Sequence, residues 1–448
     1  MSEFKIISRH ALSVLAGQLA TMAFGVTDTI VAGQFAEQSL AALSVGSAIY
    51  MSVFVGLMGV LQALLPIWAE LHGAQKSHQV GYSFRQSWYL CGITIVLGMS
   101  VLLSPGFLLE WGKVPTHLRD DIAIYLLVLA LALPPALLFR LYSTLNQSLG
   151  KPLLVTWLQI GSLGLKIPLS IWLTFGGLGV PAMGVVGCAL ATLIVNYTML
   201  ALAIYLLRTR PLYRPLHLWR PLEKPDWGVI GDFARMGVPG GLAVLVEVTS
   251  FTLMALFIAR QGTTAAASHQ ITANLAAVLY MMPLALGIAT SARTSFWFGA
   301  GEPARAKHAI VLGFRMGMVA SCVLAVLMWL LRSPLANLYA NSPEVVSLAI
   351  TLLGWIALYH VFDAMQAIGV FVLRCFRITV APMLIYGVFL WGVGLYGGYV
   401  LAYEGVGSWP AMHHPQAFWM AGIASVIATS IIFWVMIAYL LKREPRPS

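Results

Sequence analysis

The sequence predicts an all-α integral membrane protein with twelve transmembrane helices in two six-helix lobes. Of its 448 residues, 59% are hydrophobic and only 9% are charged, whereas a soluble domain carries about a quarter charged residues. Apolar runs of roughly 20 residues recur along the whole chain, each long enough to cross ~30 Å of hydrocarbon. Lipid cannot satisfy backbone polar groups, so such runs must be helical. Finally, a basic linker divides the runs into six and six.

Hydropathy and punctuation place the spans at about 10–33, 40–69, 85–108, 121–146, 152–175 and 183–207, then 229–258, 266–297, 308–331, 345–373, 381–402 and 416–440. The first run begins near Ala11, carries Asp28 and lacks a persuasive cleavage site, so it reads as a retained helix rather than a signal peptide. The fifth contains Lys166, the seventh Glu247 and the tenth Asp363. Between the sixth and seventh runs lies "RTRPLYRPLHLWRPLEKPDW". The expected domains are therefore an amino-terminal lobe over 1–207, a basic cytoplasmic linker over 208–228 and a carboxy-terminal lobe over 229–448. Trp68 and Trp297, Gly73 and Gly301, and Pro152 and Pro382 recur 228–230 residues apart at equivalent places. They suggest an internal repeat whose even span count keeps both halves in one orientation.

The net charge of +10 is distributed by side. With the amino terminus cytoplasmic, 21 of 26 Lys and Arg fall inside; Lys113, Arg119, Arg260 and Arg332 fall outside, and Lys166 lies in the membrane. The 16 acids show no such bias. This is the positive-inside pattern, so the basic surplus reflects topology and implies no nucleic-acid partner. Arg140, Arg293, Arg374 and Arg377 read as helix-end residues snorkelling to the headgroups. Cys91, Cys188, Cys322 and Cys375 have no paired spacing and read as small core residues. There is no Walker-type phosphate loop, and His413-His414 lacks a third ligand at metal spacing. No catalytic constellation is visible, so an enzyme is not expected.

Asp28, Lys166, Glu247 and Asp363 are the ionisable acids and bases well inside the spans. A charge at mid-bilayer costs at least ~2.5–3.5 kcal/mol, which makes each a functional-site candidate. The blander reading of each acid is a buried ion pair or a neutral brace between helices. Tyr359, His360 and Gln366 share a helical face with Asp363, a polar stripe whose oxygens suit a hard cation or a proton relay. Glu247 shares its face with Gly240, Val244, Phe251 and Met254, an apolar wall that favours a proton-carrying carboxyl. Both acids lie eleven residues from a span end, roughly 16 Å at 1.5 Å per residue. From that midplane depth, two helices can bring their carboxylates onto one cation or proton. Lys166 shares a face with Gln159, Ser162 and Ser170; its ammonium needs an acidic partner, a hydrated cavity or a long reach to the surface.

Read together and in order, several phrases resemble the multidrug and toxic compound extrusion (MATE) transporters, in their NorM-type branch. They are "GQLATMAFGVTDTIVAG", "LGKPLLVTWLQIGSLGLKIPL", "FGGLGVPAMGVVGCALATLIV", "SHQITANLAAVLYMMPLALGIATSARTSFWFGAGEPARAKHA" and "DAMQAIGVFVLRC". The resemblance covers nearly the whole chain. It implies two six-helix lobes around a central cavity and export of drug-like, often cationic compounds in exchange for Na⁺ or H⁺. Glu247 and Asp363 match the family's cation-site acids, as metal ligands where the ion is Na⁺; Tyr359 matches an associated aromatic, and Asp28 the acid of the amino-terminal lobe. His269 and Gln270 stand in a family signature. His360, Gln366, Phe251 and Met254 are candidate cavity-lining residues.

Three departures accompany the resemblance. "KIPLS" replaces a phrase with two amides, so Lys166 and Ser170 stand where the family commonly has asparagines. The tenth span ends in "RCFRITVAP", and the eleventh has Gly394-Leu395-Tyr396 where the family has Gly-Leu-Pro; both of these read as helix-end changes. The family fold would bring Lys166 to Asp28, giving an amino-terminal polar cluster of Asp28, Gln159, Ser162, Lys166 and Ser170. The expectation is a secondary active transporter of the plasma (inner) membrane, working as a monomer on small organic molecules among membrane lipids, with both termini cytoplasmic and no cofactor beyond the coupling ion. The alternatives are a lipid-linked oligosaccharide flippase of the same architecture and an uncoupled channel.

Overall fold

The computed structural model describes residues 2–111, 115–177 and 179–442; Lys113, counted above on the outer side, lies outside the described residues. These contain twelve helices long and apolar enough to cross a membrane: α1 (Glu3–Phe35), α2 (Glu37–Gly73), α3 (Ser77–Leu103), α4 (Thr116–Ser148), α5 (Leu153–Phe175), α6 (Val185–Thr209), α7 (Trp227–Ala259), α8 (Thr263–Gly299), α9 (Pro303–Tyr339), α10 (Pro343–Cys375), α11 (Val380–Glu404) and α12 (Gln416–Lys442). No strand occurs among the described residues. The protein is thus a multi-pass, all-helical membrane protein. Pro303 and Pro343 open α9 and α10, where a fixed φ suits the first turn and no backbone N–H is lost.

The helices reverse the packing order of a soluble protein. On α9, Val319, Val323, Val326 and Leu330 are exposed at helical spacing, a stripe for lipid. On α8, Thr290, Ser291, Thr294 and Ser295 are buried, since small polar residues let neighbouring membrane helices approach.

By contacts the chain forms two compact units, one of Ala16–Gly241 and the other of Met1–Leu15 with Leu242–Ser448. In the amino-terminal unit α4 is central, packed against α2, α3 and α6. In the carboxy-terminal unit α10 is central, packed against α8, α9 and α12. The same positions are used six helices apart. The turns repeat as well: Gly177 bridges Val180 after α5, and Val406 bridges Trp409 after α11. Gly176 and Gly405 open these turns with φ of 78° and 81°, at the spacing that separates Trp68 from Trp297. A Cβ at either would strike the returning backbone at 2.5–2.7 Å.

The linker is held in the amino-terminal unit. Tyr213 is buried, and its hydroxyl donates to Asn146 Oδ1 at 2.6 Å. Arg85 on α3 donates to Glu223 at 2.8 Å and to the carbonyl of His217 at 2.6 Å, and Tyr82 donates to Asp226 at 2.9 Å.

Several sequence expectations need correction. Arg140 and Arg374 are buried rather than snorkelling. Arg293 donates to Glu3 at 2.6 Å and lies over the Trp297 ring at 4.4 Å. The Arg293 guanidinium thus finds an aromatic face one turn along its own helix and an acid on α1, and the distant acid is what the sequence position alone does not show. Cys322 is exposed, whereas Cys91, Cys188 and Cys375 are buried. Gly394-Leu395-Tyr396 lie inside α11, within a π-helical stretch at Gly387–Tyr396, not at a helix end.

Candidate functional site

In the carboxy-terminal unit, α7, α8, α10 and α11 converge on two acids. Glu247 on α7 is partly exposed, and Asp363 on α10 is buried. They lie within electrostatic reach of one another. Glu247 Oε2 accepts from the Tyr280 hydroxyl on α8 at 3.3 Å. Asp363 Oδ1 accepts from Gln366 Nε2 at 2.9 Å, almost one turn along α10. Tyr359 and Tyr386 sit in the field of both carboxylates, and Arg374 in that of Glu247. Among the described residues, no ion pair to either acid is found. Two acids bonded to a phenol and an amide can accept a small cation or a proton from solvent.

The neighbouring wall is aromatic. Phe251, one turn beyond Glu247, meets Tyr359 edge-on with centroids 6.0 Å apart, and Tyr359 meets Trp419 at 5.7 Å. His269 packs against the same Trp419 at 5.7 Å. Such rings offer apolar and cation-attracting faces together. Met254 and His360 are buried on the same two helices, α7 and α10. Gln270 donates to Asn274 Oδ1 at 3.1 Å, on an exposed part of α8.

Glu247 is also held from α11. Trp391 Nε1 donates to the carbonyl of Val246 at 3.2 Å, and Ser250 donates to the carbonyl of Leu390 at 3.5 Å. The two bonds flank Glu247 and reach into the π-helical stretch of α11. π-Helical turns often occur at functional sites, and this ten-residue stretch carries glycine at 387, 392 and 394.

The amino-terminal unit brings together a second cluster from α1, α5 and α6. Lys166 Nζ lies 2.7 Å from Asp28 Oδ1 and donates to the carbonyl of Cys188 at 3.0 Å and to Thr192 Oγ1 at 2.7 Å. Ser170 donates to the same Asp28 oxygen at 3.1 Å. Lys166 has no solvent exposure, so a reach to the surface is excluded. Ser162 and Gln159 stand apart from this cluster. Ser162 bonds to the carbonyl of Gln159, whose side chain donates to Thr21 at 3.1 Å.

Tyr280, Tyr386 and Thr192 were not singled out from the sequence. Each sits on a helix other than the one carrying the charged group it faces, a placement that residue spacing along one helix does not show. The His413-His414 doublet forms a turn in which His414 Nδ1 accepts from the Gln416 amide at 3.2 Å. No cluster of three metal-ligating side chains occurs among the described residues.

Comparison with known proteins shows the family of the chain. The MatE family model matches residues 14–172 and again 239–400, one match on each half. The chain is 36% identical over 449 residues to a protein named probable multidrug resistance protein NorM from Aromatoleum aromaticum, covering 99% of this chain and 96% of that one. It is 32% identical to multidrug resistance protein MdtK of Pectobacterium atrosepticum, covering 99% and 97%. Among solved structures, the eukaryotic MATE transporter AtDTX14 superposes with a TM-score of 0.86 at 18% identity, covering 98% of this chain and 96% of that one. A MATE protein in the straight conformation gives 0.88 at 15% identity, covering 99% and 98%. The chain therefore belongs to the multidrug and toxic compound extrusion family of transporters, in its NorM-type branch.

Proposed function

We propose that this protein is a secondary active transporter, not an enzyme, which exports drug-like and often cationic organic compounds in exchange for Na⁺ or H⁺. The observation that carries the coupling is the pair Glu247 and Asp363. They come from different helices into electrostatic reach, and their hydrogen bonds come from Tyr280 and Gln366 rather than from a basic side chain. Neighbouring carboxylates, one of them buried, favour a cation or proton in their midst. Tyr359 and Phe251 line the approach with aromatic faces suited to organic cations. Relatives bearing multidrug resistance names support the substrate class.

Coupling by alternating access requires that the ion and the substrate favour different states. Ion uptake at Glu247 and Asp363 favours one state, and substrate the other. The positive-inside charge pattern supports an orientation with both termini cytoplasmic, in what we take to be the plasma (inner) membrane, and one chain carries the whole proposed site. The test is substrate efflux from proteoliposomes with Na⁺ and pH gradients imposed separately. Efflux should follow one gradient and fall to background in Glu247→Gln plus Asp363→Asn. Undiminished gradient-driven efflux in that variant would remove the coupling assignment.

A further inference from the structure

The ammonium of Lys166 is saturated. A lysine has three N–H donors, and three oxygens receive them: Asp28 Oδ1 at 2.7 Å, the Cys188 carbonyl at 3.0 Å and Thr192 Oγ1 at 2.7 Å. A carboxylate, a carbonyl and a hydroxyl converging from α1 and α6 on one point make an oxygen cage suited to a hard cation. Spacings of 2.7–3.0 Å suit an ammonium and exceed the ~2.3–2.6 Å at which oxygens hold Ca²⁺. The surrounding residues complete the enclosure: Ser170 braces the carboxylate, Thr192 donates to the same Cys188 carbonyl at 3.1 Å, and Lys166 itself is fully buried.

We propose that these oxygens form a site for an ammonium-sized monovalent cation and that Lys166 is its permanent, covalently tethered occupant. The amino-terminal unit thereby keeps a balanced internal charge and takes up no exchangeable ion. This rests on the geometry of that unit alone and holds whether or not the transport reading is correct.

Lys166→Ala opens the cage and removes the equivalent of one propylammonium. The full chain, purified in detergent, is heated with propylammonium, Na⁺ or choline at constant ionic strength. Lys166→Ala should unfold at a lower temperature than the parent and recover saturably with propylammonium. Choline, too bulky for the cage, should not restore it. The parent and Lys166→Ala with Asp28→Asn should show no such response. Equal effects of propylammonium and choline on Lys166→Ala, or an equal response in the parent, would overturn the proposal. Should Lys166→Ala fail to fold with every cation, equilibrium binding of radioactive Rb⁺ and Na⁺ to Glu247→Gln plus Asp363→Asn decides the matter. No saturable binding is expected in that variant; residual binding lost on adding Asp28→Asn overturns the filled cage.

Discussion

The two units bury acids in opposite ways. In the amino-terminal unit, Asp28 is answered by a lysine of the same chain at 2.7 Å, and all three donors of that lysine are spoken for. In the carboxy-terminal unit, Glu247 and Asp363 are answered by a phenol and an amide. One acid site holds a lysine in direct contact, whereas the other is bonded by neutral groups and has Arg374 in the field of Glu247. Equivalent helices are arranged equivalently in the two halves, so the difference comes from a few side chains and not from the fold. Under the proposed function, residue chemistry would give a structural role to one half of the repeat and an ion-exchange role to the other.

The largest expected effect separates these roles. Glu247→Gln plus Asp363→Asn should reduce gradient-driven export to that of protein-free liposomes while leaving unfolding temperature unchanged or raised, since neutral groups bury more easily than charged ones. Lys166→Met plus Asp28→Asn should instead retain ion-driven export in the same assay. Loss of coupling in the second variant with retention in the first would invert the comparison.

Next in size is the stability of the buried pair. Lys166→Met alone leaves a buried carboxylate without its counter-charge, a change that costs about 3–5 kcal/mol. Adding Asp28→Asn should recover most of this, and a double-mutant cycle of unfolding free energies measures the coupling. Additive effects of the two substitutions would show that the pair does not hold the unit together.

Much of the fold was legible because lipid permits few solutions. Composition and run length fixed twelve helices, and all twelve are present. Asp28, Lys166, Glu247 and Asp363 were legible because a charge in an apolar run is costly and conspicuous. What remained hidden depends on neighbours. The Cys188 carbonyl has no signature in the side-chain sequence, and Tyr280 and Tyr386 read as ordinary membrane aromatics. Arg374 looked like a headgroup anchor from its place near a helix end, yet it is 2% exposed because adjoining helices cover it. The matching turns at Gly176 and Gly405 are the plainest structural trace of the repeat, and Trp68 and Trp297 are its trace in the sequence.

A smaller effect tests how finely the carboxy-terminal site is tuned. The Tyr280 hydroxyl donates to Glu247 at 3.3 Å, a long bond to a partly exposed group. Tyr280→Phe should therefore remove about 1 kcal/mol, which is about fivefold in the half-saturating concentration of the coupling ion. Initial rates of ion-driven efflux measured against ion concentration give this number. An unchanged midpoint would leave Tyr280 as packing only.

The smallest effect sharpens the contrast between buried and exposed pairs within the amino-terminal unit. The Arg85 guanidinium, by its hydrogen bonds, holds the Glu223 carboxyl below its usual value of 4.5. A carboxyl depressed in the folded state stabilises above its unfolded value, and that stability is lost as pH falls through the folded one. Glu223 is 36% exposed, so solvent screens the pair and Glu223→Gln should cost no more than about 1 kcal/mol at pH 7. Comparing the unfolding temperatures of parent and Glu223→Gln across acid pH checks the sign. The gap should close as the carboxyl protonates below 4.5, and a gap that widens instead would mean that Arg85 does not stabilise the ionised form. Because linker and buried pair belong to one unit, the ratio of the two losses measures what burial adds to an ion pair within a common scaffold.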